Sequence, residues 1–234
     1  MSKKGTCATI ADLKKVNHAV KKAKDKPSKI VLSRIAAKKE DLEVIGIGDA
    51  SYKWDEKSIG GCFILLSNRR TKRSVPLYWK SKQITRTVHS SKDAETLNLS
   101  KLVDDSVFVA RQLEHLLFGR YEKILPVRLF TDSEPSLESI ASTKPIETKR
   151  LRNQVQELKD VLFSGEVLSY SWLSTKDMIA DVLTKEMKMN DDIEVLLHNS
   201  YFELSDSSIN KVRPRGDELR MSNIRNRNAK SIFD

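Results

Sequence analysis

The sequence has little of what secreted or membrane-spanning chains are built from. Among 234 residues there are two cysteines, Cys7 and Cys62. Two thiols cannot form a disulfide framework, and no CxxC pair is available for zinc. No apolar run approaches the roughly 20 residues that span a bilayer. The Lys-rich N-terminus lacks the apolar stretch of a signal peptide. An intracellular, reducing setting away from membranes is therefore the expectation. Internal repeats are absent. The four histidines, His18, His89, His115 and His198, show no metal-site spacing and read as structural or surface residues.

What is present is charge. Charged residues make up 32% of the chain against 39% hydrophobic, and the net charge is +10. Such a balance suits a polyanionic partner such as nucleic acid, although a basic soluble protein without such a partner has the same composition. The excess is unevenly placed. Met1 to Glu43 carries twelve Lys/Arg against five Asp/Glu, and Ser205 to Asp234 carries seven against four. The segment between them has 23 of each. Basic flanks thus surround a neutral core. We divide the chain into a basic helical extension and linker (1–43), an α/β domain (44–202) and a polar basic tail (203–234) expected to be disordered.

Hydrophobic periodicity supplies the element order. Ile10, Leu13, Val16 and Val20 predict an amphipathic helix over 9–24. Val44–Ser51, Gly61–Leu66 and Val75–Trp79, joined by polar turns, predict three antiparallel strands. A long helix is expected over Ser91–Gly119, with Leu102, Val109, Leu113 and Leu116 or Leu117 on its buried face and Gly119 as its C-terminal cap. A strand follows at Val127–Thr131. A helix is expected from about Pro145 to Ser164, with Leu151, Val155, Leu158 and Leu162 as its buried stripe. Val167–Trp172 reads as the last strand, and a helix carrying Ile179, Val182 and Leu183 begins near Lys176. The order βββαβαβα implies a five-stranded mixed sheet, three strands antiparallel and then two parallel, flanked by helices.

Four acidic residues stand where this order makes chemistry possible. Asp49 ends the first strand, and Asp132 directly follows the fourth. Glu95 and Asp181 lie in the first turns of helices. Open α/β sheets present ligands at the carboxyl ends of parallel strands, where Asp49 and Asp132 would emerge side by side. Four clustered carboxylates are costly unless a cation neutralises them, and hard divalent ions take oxygen ligands. Singly, each has an ordinary explanation: Asp is favoured in turns, and acids suit helix N-termini. Only the joint placement argues for a site.

The motifs around these residues point further. Gly46-Ile47-Gly48-Asp49-Ala50-Ser51-Tyr52, Tyr78-Trp79-Lys80-Ser81-Lys82-Gln83, His89-Ser90-Ser91-Lys92-Asp93-Ala94-Glu95, Phe130-Thr131-Asp132-Ser133 and Ser174-Thr175-Lys176-Asp177-Met178-Ile179-Ala180-Asp181-Val182-Leu183-Thr184-Lys185 occur in this order over residues 44–188. Together they resemble the ribonuclease H domain of copia-type retrotransposon Pol polyproteins. The last motif is the most specific. A looser resemblance covers Ala11–Lys24, which is similar to a short helix preceding that domain in the polyprotein. The resemblance implies a ribonuclease H-like fold in which Asp49, Glu95, Asp132 and Asp181 hold two Mg²⁺ ions, with Mn²⁺ as a substitute and Asp49 as the bridge. It implies hydrolysis of the RNA strand of an RNA–DNA hybrid, with a reverse transcriptase module acting in cis or in trans. Ser51, Ser90, Ser91, Ser133, Lys82 and Lys176 would contact the nucleic acid, although each serine has a cap or turn role equally open to it. The loop before Asp181 lacks the histidine found in cellular ribonucleases H, as copia-type domains usually do. Ser174 stands where the family usually has proline.

Two other readings use the same features. A catalytically silent ribonuclease H-fold module would bind nucleic acid or protein through the same surface. A DDE-type integrase or transposase shares the fold, but the Ala180-Asp181 carboxylate and the Trp79 strand favour ribonuclease H. Leu102-Val103-Asp104-Asp105 resembles a polymerase acidic pair, yet it lies within a helical pattern without the hairpin that motif needs.

Overall fold

A computed structural model describes residues 9–25, 29–35, 38–54, 57–119, 125–142, 149–185, 191–204 and 211–212. The chain divides into two units, Met1–Val31 and Leu32–Asp234. The first contains helix α1 (Ile10–Asp25), close to the span predicted from its apolar spacing. At its start, Thr9 donates to Asp12 through both its backbone N–H (3.0 Å) and its hydroxyl (2.6 Å). Those bonds use groups that a helix N-terminus leaves unpaired.

The second unit is built on a sheet in the order β3-β2-β1-β4-β5-β6. Strands β1 (Leu42–Ser51), β2 (Ile59–Asn68) and β3 (Ser74–Gln83) form the expected antiparallel meander. β4 (Val127–Thr131) and β5 (Ser169–Trp172) then add in parallel, β4 beside β1. Helices α2 (Ser91–Phe118), α3 (Glu134–Ala141) and α4 (Arg152–Phe163) belong to the first layer. A short helix α5 (Asp181–Thr184) and α6 (Asp191–Asn199) belong to the second. Alternation along β1 separates two cores. Leu42 and Val44 join Leu99, Leu102, Leu129 and Val155, while Ile45 and Ile47 join Phe130, Ile179 and Leu196. Among the described residues, no helix is long and apolar enough to cross a membrane.

Three elements differ from the sequence reading. The buried face of α2 is Leu99, Leu102, Val103, Ser106, Ala110 and Glu114, whereas Leu116 and Leu117 are exposed. Val109 and Leu113 only flank the core. Small residues are buried because α2 crosses β1 closely: a Cβ on Gly46 would meet Ser106 Oγ at 2.6 Å. A stripe chosen for bulk therefore selects the wrong register near the helix end. The cap is as expected, with Gly119 left-handed at φ 71°.

Second, the helix expected near Lys176 is split. A 3₁₀ turn at Thr175–Asp177 is followed by α5, which opens on Asp181 itself. Third, the expected tail includes β6 (Lys211–Val212), paired antiparallel with β5. β5 would otherwise present an unpaired row of backbone groups, which any ordered segment nearby can satisfy. The rest of the tail beyond Leu204 lies outside the described residues. So does Pro145, where the fourth helix was expected to begin; there the described chain resumes with a 3₁₀ turn at Lys149–Leu151. The predicted stripe of Leu151, Val155, Leu158 and Leu162 is buried.

Candidate metal centre

Asp49 and Asp132 reach one place because β1 and β4 are parallel and in register. Ile47 pairs with Phe130, so each aspartate lies two residues further on at the same sheet edge. Asp181 arrives from the second layer, at the first residue of α5. Carboxylate oxygens of Asp49, Asp132 and Asp181 lie within 4.8 Å of one another. Glu95 enters from the first turns of α2 and is buried, with Ala50 N–H donating to its Oε1 at 3.1 Å. Its Oε2 is buried without a hydrogen-bond partner.

Close approach of backbone to side chain makes this convergence possible. A Cβ on Gly61 would lie 2.8 Å from Leu183 Cβ and 2.9 Å from Thr184 Cγ2. Glycine in β2 thus lets α5 rest on the sheet, which brings Thr184 Oγ1 to donate to Asp49 Oδ2. On the opposite layer, Asn98 lies one turn beyond Glu95. Its Nδ2 donates to the Asp49 carbonyl (2.9 Å) and the Gly61 carbonyl (3.1 Å), pinning α2 to the β1–β2 hairpin.

The electrostatics are unfavourable for carboxylates alone. Burial, with Asp49 and Asp132 adding repulsion, pushes Glu95 up to about 9. Burial raises Asp49 to about 6, against the Thr184 hydrogen bond and the Lys185 charge, which pull it down. Asp132 is raised as well, first by burial. Four clustered carboxylates faced by the single charge of Lys185 keep an excess of acid that fits an incoming cation. An all-carboxylate donor set suits a hard divalent ion rather than a soft one.

The other predicted contact residues are spread around this cluster. Ser90 is the N-cap of α2, accepting from Asp93 N–H at 3.1 Å while Asp93 accepts from His89 N–H. Ser133 is buried, its Oγ 2.9 Å from Ser136 Oγ. Ser51 is half-buried at the end of β1, and Ser91, Lys82 and Lys176 are exposed. Lys82 lines a cavity of about 250 Å³ between α2 and β2–β3, shared with Cys62, Lys80 and Lys101, to which the acidic residues of the cluster contribute nothing. The Leu102-Val103-Asp104-Asp105 segment lies within α2. Asp105 pairs with Lys80 and Lys101, and Asp104 pairs with Lys101 at the surface.

Sequence reasoning assigned no role to Asn98, Gly61, Thr184 or Lys185. For the last two a signal existed: they stand three and four residues after Asp181, the spacing that shares a helix face.

Sheet order, the parallel β1–β4 junction and the carboxylates at its edge define a ribonuclease H-like domain. No family model matches the chain, and no curated protein matches it. Among solved structures, it is similar to LC11 ribonuclease H1, isolated from compost by metagenomics and solved with an RNA/DNA hybrid. That match has 14% identity and a TM-score of 0.42, and covers 60% of this chain and 93% of that one. It is similar to the N-terminal ribonuclease H domain of a Mycobacterium tuberculosis protein, at 16% identity and a TM-score of 0.42, over 61% and 91% of the two chains. It is also similar to prototype foamy virus protease-reverse transcriptase, at 14% identity and a TM-score of 0.40, over 68% of this chain and 22% of that one.

Proposed function

We propose that this chain is a divalent-metal-dependent endonuclease that hydrolyses the RNA strand of RNA–DNA hybrids. In this reading it descends from the ribonuclease H region of a copia-type Pol polyprotein and works beside a reverse transcriptase module, in cis or in trans. The observation that carries the proposal is the convergence of Asp49, Asp132 and Asp181 at one sheet edge, with the strained carboxylate of Glu95 beside them.

Asp49, Asp132, Asp181 and Glu95 would hold two Mg²⁺ ions, or Mn²⁺ in their place. The resemblance would give Asp49 a share in holding both, and carboxylate oxygens of Asp132 and Asp181 lie within 4.8 Å of its own. Bound divalent ions supply an activated water and stabilise charge on the departing oxygen. The chain's own residues do the positioning. Thr184 orients Asp49 through its hydroxyl, and Ala50 N–H orients Glu95. Asn98 holds the two layers that carry them. Ser51, Ser91, Lys82 and Lys176 remain available to a polyanion from the surface, and 2′-hydroxyl contacts would distinguish RNA from DNA.

A labelled RNA–DNA hybrid incubated with Mg²⁺ tests the reading. Wild type is expected to cut the RNA strand, and Asp49→Asn and Asp132→Asn to lose at least roughly 10²-fold of the rate while still shifting the hybrid on a gel. Cleavage that survives both substitutions would remove the site. Hybrid binding without cleavage in wild type would favour the silent binding module.

A further inference from the structure

The carboxylate cluster is faced by a cation from the chain itself. Lys185 closes α5, and its Nζ lies 2.7 Å from Asp181 Oδ1 and 3.8 Å from Asp49 Oδ1. Its charge also acts on Asp132 and Glu95, so all four acids feel it. Its attachment differs from that of its neighbours. Thr184 is buried and bonded to Asp49, whereas the Lys185 side chain is 42% exposed. Its backbone N–H donates to the Asp181 carbonyl at 2.8 Å, and its ammonium is held by the bond it donates to Asp181 Oδ1. A long, unbranched side chain rooted in this way moves its ammonium into water by rotamer change alone.

We propose that Lys185 is a tethered counter-ion: it neutralises the carboxylate cluster in the metal-free protein and is displaced into solvent when a divalent cation takes the same oxygens. The inference rests on the reading of this cluster as a metal site. An ammonium and a hard divalent ion seek the same ligands, and the two positive charges repel at that distance. Lys185 therefore protects the empty fold and weakens apparent metal affinity.

Lys185→Met removes the charge at similar length, and Lys185→Arg retains it. Melting in EDTA, Mn²⁺ titration followed by the spin-resonance signal of free Mn²⁺, and Mg²⁺ calorimetry read the two halves separately. Lys185→Met is expected to melt about 2–4 °C lower than wild type in EDTA. It should bind Mn²⁺ roughly three- to tenfold more tightly, as removal of one partly exposed like charge would give. At saturating Mn²⁺ the melting difference should vanish or reverse, and Lys185→Arg should melt like wild type in EDTA. Unchanged melting of Lys185→Met in EDTA, or Mn²⁺ affinity that is unchanged or weaker, overturns the proposal. Wild type that takes up no Mn²⁺ or Mg²⁺ fails the metal-site reading and displacement with it, while the EDTA comparison still decides the counter-ion role.

Discussion

Two glutamates on α2 lie buried at opposite ends of one helix, and their surroundings could hardly differ more. Glu114 is fully buried; its Oε1 accepts from Arg111 Nη1 and from Leu125 N–H, both at 2.8 Å. Arg111 in turn pairs with Glu166 at 2.6 Å, so a cation stands beside each of the two carboxylates. Glu95 is nearly as buried, but its neighbours are Asp49 and Asp132, and one of its oxygens has no hydrogen-bond partner. A buried carboxylate matched by donors is an element of architecture. A buried carboxylate set among others is held at an electrostatic cost that a bound cation would relieve. The difference sets the N-terminal end of α2 apart from its C-terminal end without reference to any related protein.

The comparison can be broken most severely at Glu114. Glu114→Ala would leave Arg111 and Leu125 N–H short of a buried acceptor, at a cost of about 3–5 kcal/mol. Urea melting should reveal the loss, while cleavage per folded molecule stays at the wild-type level. A loss of cleavage without a loss of stability would reverse the assignment. Glu95→Gln should do the opposite. The amide keeps the acceptor for Ala50 N–H and needs no proton taken up on folding, so at neutral pH the metal-free protein gains about 1–2 kcal/mol while hybrid cleavage falls.

The same strain predicts a pH dependence. Folded Glu95 and Asp49 hold their protons up to about 9 and about 6, against ordinary values of 4.5 and 3.8. Between these limits the folded chain binds more protons than the unfolded one, so stability falls as pH rises. This contribution is complete below the ordinary values and is lost as pH passes through 6 and then 9. Melting of the metal-free protein between pH 5 and 9 should therefore decline, and Glu95→Gln should flatten the upper part of the curve. A wild-type curve as flat as that of Glu95→Gln would mean that the cluster is not strained. The smallest effect is expected at Ser90. If it serves only as the cap of α2, Ser90→Ala costs about 1 kcal/mol and leaves hybrid affinity unchanged in a gel shift.

Much of this fold was legible in the chain, for local reasons. β1 to β5 appear as apolar runs between polar turns, and Gly119 marks the end of α2 because a residue without a Cβ accepts its left-handed backbone without strain. The α4 stripe was legible because Val155, Leu158 and Leu162, with Leu151 just before the helix, keep helical spacing. The α2 face was not: Ser106 is buried by the approach of Gly46, a contact between residues 60 apart that no periodicity reports. The split before α5 was hidden because Ile179 and Ala180, which look helical in sequence, are drawn into the second core beside Phe130.

The carboxylates divide along the same line. The sequence by itself determined that acids follow two parallel strands and begin two helical segments, since strand ends and helix starts are written in local pattern. Only the tertiary packing brings three aspartates within 4.8 Å, buries Glu95 beside them with an oxygen unpartnered, and sets the ammonium of Lys185 against Asp181 and Asp49. Convergence depends on strand register and on how near α5 comes to Gly61, and both are set by packing between segments distant in the chain.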